Sequence, residues 1–200
     1  MERRGFLGLA LPSLMLAGCG GERSRPGFKG SDITGVDFGR QLELTDHNGR
    51  PVSLESFRGR LIVLFFGYTH CPDVCPTTLS DMAQALELLG PEAATRVQVL
   101  FVSVDPERDT QEILRAYVPH FHPSFLGLRG SPEEVARAAK EFHIVYGRHA
   151  VPGATDYLVD HSAGSYVLDG QGRLRLYLPY AQSPRDIAHD LRTLLAMRPG

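Results

Sequence analysis

Residues 61–66 read Leu-Ile-Val-Leu-Phe-Phe, an apolar run with no polar residue in alternate positions, and residues 97–104 form a second run, apolar except at Gln98 and Ser103. A strand that shows water neither face belongs to a sheet covered on both sides, usually with parallel neighbours. Between the two runs Leu79, Met82, Ala83, Leu86 and Leu89 recur at helical spacing, and Gly90-Pro91 closes the pattern, so a helix starting near Thr77 is expected. Asp109 with Glu112, and Ser131 with Glu134, have the spacing of capping boxes and predict two more helices. The second of these turns Val135, Ala138, Ala139 and Phe142 inward. A hairpin over 165–178 turns at Asp169-Gly170-Gln171-Gly172, and Ser183-Pro184 opens a last helix to about Met197. An N-terminal hairpin is marked by alternation over 41–45, Asn48-Gly49 and a resumption over 51–54. Strands alternating with helices predict an α/β sandwich with a mixed central sheet flanked by helices.

Chemistry concentrates where the first apolar run meets the helix, at Gly67-Tyr68-Thr69-His70-Cys71-Pro72-Asp73-Val74-Cys75-Pro76. On a helical turn, positions i and i+4 share a face, which would let Cys71 and Cys75 grip one metal ion or approach disulfide distance. Pro76 suits a first helical turn, and helix-start N–H groups favour thiolate. Two plainer readings stand beside this one. The cysteines are inert core residues, although Pro72, Asp73 and Pro76 mark a turn; or they form a structural disulfide, which would close too small a loop to constrain the unfolded chain much.

The beginning of the chain carries an export pattern. Arg3 and Arg4 precede a short apolar stretch, too short to span a bilayer. Leu16-Ala17-Gly18-Cys19 then resembles the lipobox of bacterial lipoproteins. Residues 1–18 are therefore expected to be a signal peptide, Cys19 the acylated first residue of the mature protein, 19–32 a lipidated N-terminus and flexible tether, and 33–200 one domain. The protein would sit on the outer face of the bacterial cell membrane. A net charge of −2 with no basic stripe gives no reason to bind nucleic acid. After Cys19 is acylated only Cys71 and Cys75 remain, and in an oxidising compartment such a pair must be disulfide-bonded, metal-bound or kept reduced by a partner.

Two cysteines need a further ligand to hold a metal, and His161 is the candidate. It ends the irregular stretch 143–160, in Asp156-Tyr157-Leu158-Val159-Asp160-His161-Ser162. A long excursion inside a compact domain is more often functional than idle. Asp156 and Asp160 are candidate acceptors for the ring. His70 abuts Cys71 but strand alternation sends it to the other face. His47 lies in a turn, His189 on a helix, and His120 and His122 around a loop, while His143 and His149 border the excursion as potential guards. Two thiolates and an imidazole suit Cu(I) or zinc, and an exported setting favours copper. Zinc hydrolysis has no support, since no His-Glu-x-x-His is present.

The stretch 67–76, Val102-Ser103-Val104-Asp105-Pro106-Glu107-Arg108-Asp109-Thr110 and Val159-Asp160-His161-Ser162 together resemble the Sco/SenC family of copper chaperones for cytochrome oxidase assembly. That resemblance implies a thioredoxin-like fold and one copper, Cu(I) and in some states Cu(II), bound by Cys71, Cys75 and His161. It also implies delivery to the CuA centre of cytochrome c oxidase subunit II, with a thiol reductant and another copper chaperone as further partners. Departures from ordinary thioredoxins agree: three residues separate the cysteines, and no proline immediately precedes the 165 strand. The Pro-x-x-x-Thr-x-x-Cys pattern of peroxiredoxins fails, because Thr69 stands two positions before Cys71 and position 65 is phenylalanine. A metallochaperone needs no catalytic residue. The alternative, a thiol:disulfide oxidoreductase acting on exported proteins, would use Cys71 and Cys75 as its redox pair without His161. A copper sensor ranks third, since no output domain is attached.

Overall fold

The structure, a computed structural model, describes residues 27–150 and 157–197. The elements in chain order are β1 (Ser31–Asp32), β2 (Glu43–Asp46), β3 (Pro51–Ser53), β4 (Leu61–Gly67), α1 (Val74–Leu89), α2 (Pro91–Ala94), β5 (Val97–Ser103) and α3 (Gln111–Phe121). They continue with β6 (Leu126–Arg129), α4 (Pro132–Glu141), β7 (Tyr146–Ala150), β8 (Tyr157–His161), β9 (Ser165–Leu168), β10 (Leu174–Leu178) and α5 (Pro184–Ala196). Eight strands form one sheet in the order β1-β10-β9-β4-β5-β6-β2-β3, and β7 pairs only with β8. The sheet is mixed. β4, β5 and β6 run parallel, while β9 lies antiparallel against β4. Every residue of β4 and β5 is buried, Gln98 and Ser103 of β5 included, as in strands with both faces covered.

Several local expectations shift. Helix α1 begins at Val74, three residues before Thr77, because Cys75 and Pro76 fit its first turn, where a missing N–H costs nothing. Cys71 therefore lies outside the helix, in the turn before it, and the two cysteines do not share a helical face. Asp109 is not a cap. Thr110 caps α3 by accepting from the Ile113 N–H, while Asp109 is wholly buried in the turn after β5. The Ser131–Glu134 capping box forms as the spacing predicts. The excursion after α4 becomes the β7–β8 hairpin, standing apart from the main sheet. Residues 1–18, Cys19, most of the expected tether and Asp156 lie outside the described residues. No helix among the described residues is long and apolar enough to cross a membrane.

The last part of the expected tether is docked. Ser31 and Asp32 pair with Tyr177 and Leu176 at the sheet edge, and the buried Asp190 carboxylate accepts from the Lys29 and Gly30 N–H groups at 2.8 and 2.7 Å. Gln182 donates to the same carboxylate at 3.1 Å. Hydrogen bonds to a charged acceptor contribute more than neutral ones, so Asp190→Ala is expected to cost about 2 kcal/mol. Amide exchange at Lys29 and Gly30 should accelerate in that variant; unchanged protection would show that the strand pairing alone holds the segment.

Candidate metal centre

β4 ends at Gly67, and the chain turns through Tyr68, Thr69 and His70 before α1 starts. A bond from Cys71 N–H to the Tyr68 carbonyl (3.3 Å) closes this turn. Asp109 fixes it from below, accepting the Thr69 N–H at 3.1 Å and the Thr69 hydroxyl at 2.6 Å. Cys75, in the first turn of α1, is fully buried, and Cys71 is partly exposed. Of the two thiols only Cys71 therefore reaches solvent. The Cys75 N–H points at Cys71 Sγ, 3.4 Å away. From the other side β8 delivers His161, whose Nε2 lies 3.4 Å from Cys75 Sγ. One ligand atom from each of Cys71, Cys75 and His161 falls within 4.8 Å of the other two, and no other such group of three exists among the described residues.

The imidazole is oriented by its own strand end. Nδ1 lies 3.0 Å from the Ser162 carbonyl, which can only accept, so Nδ1 donates there and Nε2 is the ring atom that faces the sulfurs. The ring packs edge-on against Phe65 and Tyr68. Asp160 does not orient it. Neighbouring strand residues point to opposite faces, and the exposed Asp160 carboxylate instead meets His149 Nδ1 at 3.2 Å.

The two thiols differ in acidity. Cys71 is lowered to about 5, chiefly because the Cys75 thiol hydrogen-bonds its sulfur, with the Asp73 and Cys75 N–H groups and His161 helping against partial burial. Cys75 is pushed up, by holding its proton toward Cys71 and by burial. At neutral pH the pair presents one thiolate and one thiol, and a metal taken up between them releases the Cys75 proton.

The remaining histidines stay outside the cluster. His70 is half exposed, with Nδ1 3.1 Å from Thr69 Oγ1. His143 stacks on Phe38, and His47 accepts the Gly127 N–H. His149 lines the same cleft as Cys71 and His161, a space of about 240 Å³, which places it as a neighbour of the centre. Sequence reading passed over Asp105, Arg108, Arg148 and Tyr157, which bind the β7–β8 hairpin to the turn after β5. Their signal was the charged run Asp105-Pro106-Glu107-Arg108-Asp109 directly after a largely apolar strand. Charges at the carboxyl ends of buried parallel strands mark where such folds place their sites.

Comparison with known proteins places this centre in context. The family model for SCO1/SenC matches residues 31–196. The mitochondrial SCO2 homolog of Bos taurus is 36% identical over 199 residues, spanning 94% of this chain and 75% of the bovine one. Among solved structures, copper-bound ScoI of Bradyrhizobium japonicum shares 37% identity, with a TM-score of 0.73 over 79% of this chain and 99% of that one. Apo Sco1 of Thermus thermophilus shares 44% identity at a TM-score of 0.70, covering 86% of this chain and 96% of its own. The fold is the thioredoxin-like one of these Sco structures. A match over nearly the whole described domain, with Cys71, Cys75 and His161 gathered at one point, identifies the chain as a member of the SCO1/SenC family.

Proposed function

We propose that this chain carries one copper ion on Cys71 Sγ, Cys75 Sγ and His161 Nε2 and delivers it to the CuA centre of cytochrome c oxidase subunit II, anchored by lipid on Cys19 at the outer face of the cell membrane. The observation that carries this reading is the convergence of two sulfurs and one imidazole nitrogen within 4.8 Å. Thiolate and imidazole together are a soft donor set that suits Cu(I), and copper is bound in the similar ScoI of Bradyrhizobium japonicum and in the similar yeast Sco1. Three ligands leave the metal open to an incoming donor. Cys71, the partly exposed ligand, is the side from which an acceptor sulfur would enter, and transfer would proceed by exchange of one ligand at a time. The anchor rests on residues 1–19 as read from the sequence.

A second reading is favoured by the asymmetry of the thiols. An accessible Cys71 thiolate beside a buried protonated Cys75 is the arrangement of an attacking and a resolving cysteine. Cys71 would attack a target disulfide, expelling one target thiolate, and Cys75 would then displace the second target sulfur. The target ends reduced and Cys71–Cys75 oxidised, so an external thiol reductant must restore the pair.

The test is an anaerobic Cu(I) competition titration of the reduced protein in detergent, run beside His161→Ala. One equivalent should bind, and the variant should hold it at least about tenfold more weakly, since even groups behind a metal ligand are worth that much. Equal binding by both proteins would remove the imidazole from the site. Negligible binding by wild type would leave thiol exchange as the activity.

A further inference from the structure

Asp105 and Asp109 stand in one turn after β5, both wholly buried, and each serves a different half of the metal centre. Asp109 holds the thiol half through Thr69, two residues before Cys71. Asp105 reaches the imidazole half. Its Oδ1 accepts the Tyr157 hydroxyl at 2.7 Å and Arg148 Nη2 at 3.2 Å, and its Oδ2 accepts Arg108 Nε at 2.5 Å. Tyr157 stands on β8 and Arg148 on β7, so one buried carboxylate grips both strands of the hairpin that ends at His161. Arg108 completes the grip. Its guanidinium lies 3.7 Å over the Tyr157 ring and 5.7 Å from the Tyr68 ring, and it donates to the Tyr157 carbonyl at 2.9 Å.

The two carboxylates are tied to each other as well. Ser103 Oγ donates to Asp109 at 2.6 Å and accepts the Asp105 N–H at 3.1 Å, and the Asp109 N–H donates to the Asp105 carbonyl at 2.9 Å. Such a frame matters because β7 and β8 pair only with each other. Among the described residues, no backbone ladder fixes their place against the main sheet. A buried carboxylate met by three donors is strongly held, since breaking any one leaves charge poorly compensated.

We infer that Asp105, acting through Arg148 and Tyr157, is the positioning residue for His161: it sets where the imidazole stands relative to sulfurs whose own loop is held by Asp109. This rests on the Cys71–Cys75–His161 copper reading. The physical consequence is a centre in which the imidazole half can be loosened without disturbing the thiol half, because the two halves hang from separate carboxylates.

The experiment is a double-mutant cycle on the whole protein in detergent. Arg148→Met and Tyr157→Phe are made singly and together, in the wild-type and His161→Ala backgrounds, with Cu(I) affinity from competition titration and thermal unfolding as the check on folding. Both side chains are partly exposed, so the variants should fold; Asp105→Asn is added as the direct change. Arg148→Met/Tyr157→Phe should weaken Cu(I) by about tenfold, the scale of lost groups behind a ligand. In the His161→Ala background the same pair should change it by less than about twofold, because the coupled partner is gone. A second readout needs no metal: ring contacts of His161 with Phe65 and Tyr68, seen as nuclear Overhauser effects in the copper-free protein, should weaken in the variants. Equal losses of affinity in both backgrounds, or unchanged affinity with unchanged ring contacts, would overturn the inference. If His161→Ala alone binds copper like wild type, the copper reading fails instead, and the ring contacts decide the positioning role by themselves.

Discussion

The Cys75→Ala chain is expected to lose Cu(I) retention by more than about a hundredfold while remaining folded, because a direct ligand must be worth more than the groups that orient it. Cys75 contributes to the fold as a small apolar side chain, fully buried in the core beneath the turn. Alanine keeps that character and leaves a cavity of roughly one sulfur atom, worth about 1 kcal/mol. Serine is the less informative change, since its hydroxyl could still reach His161 Nε2, 3.4 Å from the sulfur it replaces. Anaerobic competition with a Cu(I) chelator, read beside thermal unfolding, separates the two effects. A variant that still held copper within threefold of wild type would mean that Cys75 is only a core residue.

The same variant changes the chemistry of Cys71. Its acidity, with a pKa of about 5, rests first on the hydrogen bond from the Cys75 thiol, so Cys75→Ala should shift its alkylation profile upward, toward the ordinary thiol value. The sign for stability follows. The Cys71 pKa is depressed on folding from the ordinary thiol value of about 9, so its contribution is absent below about 5, grows between about 5 and 9, and is complete above. Cys75 is shifted upward and works against stability only at more alkaline pH, where it would ionise in the unfolded chain. The reduced, metal-free protein should therefore gain stability over Cys71→Ala as pH rises from 5 to 8. A constant difference across that range would show that no thiolate forms.

The parts of the molecule most legible in the sequence are those governed by short-range pattern. Apolar runs, unbroken in β4 and interrupted only by Gln98 and Ser103 in β5, predicted these strands, and the Ser131 and Ser183 caps fixed where α4 and α5 begin. The sequence position of His161 at the end of an excursion sufficed to pair it with Cys71 and with Cys75, 86 residues before it, but only because soft donors are scarce in this chain. Long-range polar contacts were not legible. Asp109 has the spacing of a cap, and nothing local reveals that Thr69, forty residues earlier, takes its carboxylate instead. Asp105 is matched by groups 43 and 52 residues later, and a charge after a strand looks the same whether it is solvated or buried. Segment 27–32 has a linker's composition, and its docking depends on Asp190 from the far end of the chain. In each case a local pattern was outcompeted by a buried charge that needed partners.

Gly67→Ala should damage both the fold and the centre, through one methyl group. A Cβ at Gly67 would stand 2.7 Å from Cys75 Sγ, 2.8 Å from Phe101 Cε2 and 3.2 Å from Phe65 Cε1. The strand has no freedom to withdraw, since Gly67 pairs with Ser103 in the β4–β5 ladder and its carbonyl accepts the Val104 N–H at 2.8 Å. The sulfur or the Phe101 ring must move instead, and overpacking of this kind costs about 1–3 kcal/mol. For a domain of this size that corresponds to a fall in Tm of about 2–12 °C. Any displacement of Cys75 Sγ also disturbs its 3.4 Å approach to His161 Nε2, so Cu(I) affinity should fall with stability. The cause can be isolated by placing Gly67→Ala in the Cys75→Ala protein, where the new methyl has the space the sulfur occupied. Contacting residues are coupled, and much of the loss of Tm should disappear in that background, the Phe101 contact keeping the rest. Equal losses in the two backgrounds would place the strain on Phe101 alone and leave the close approach of Gly67 to the thiol without consequence for the centre.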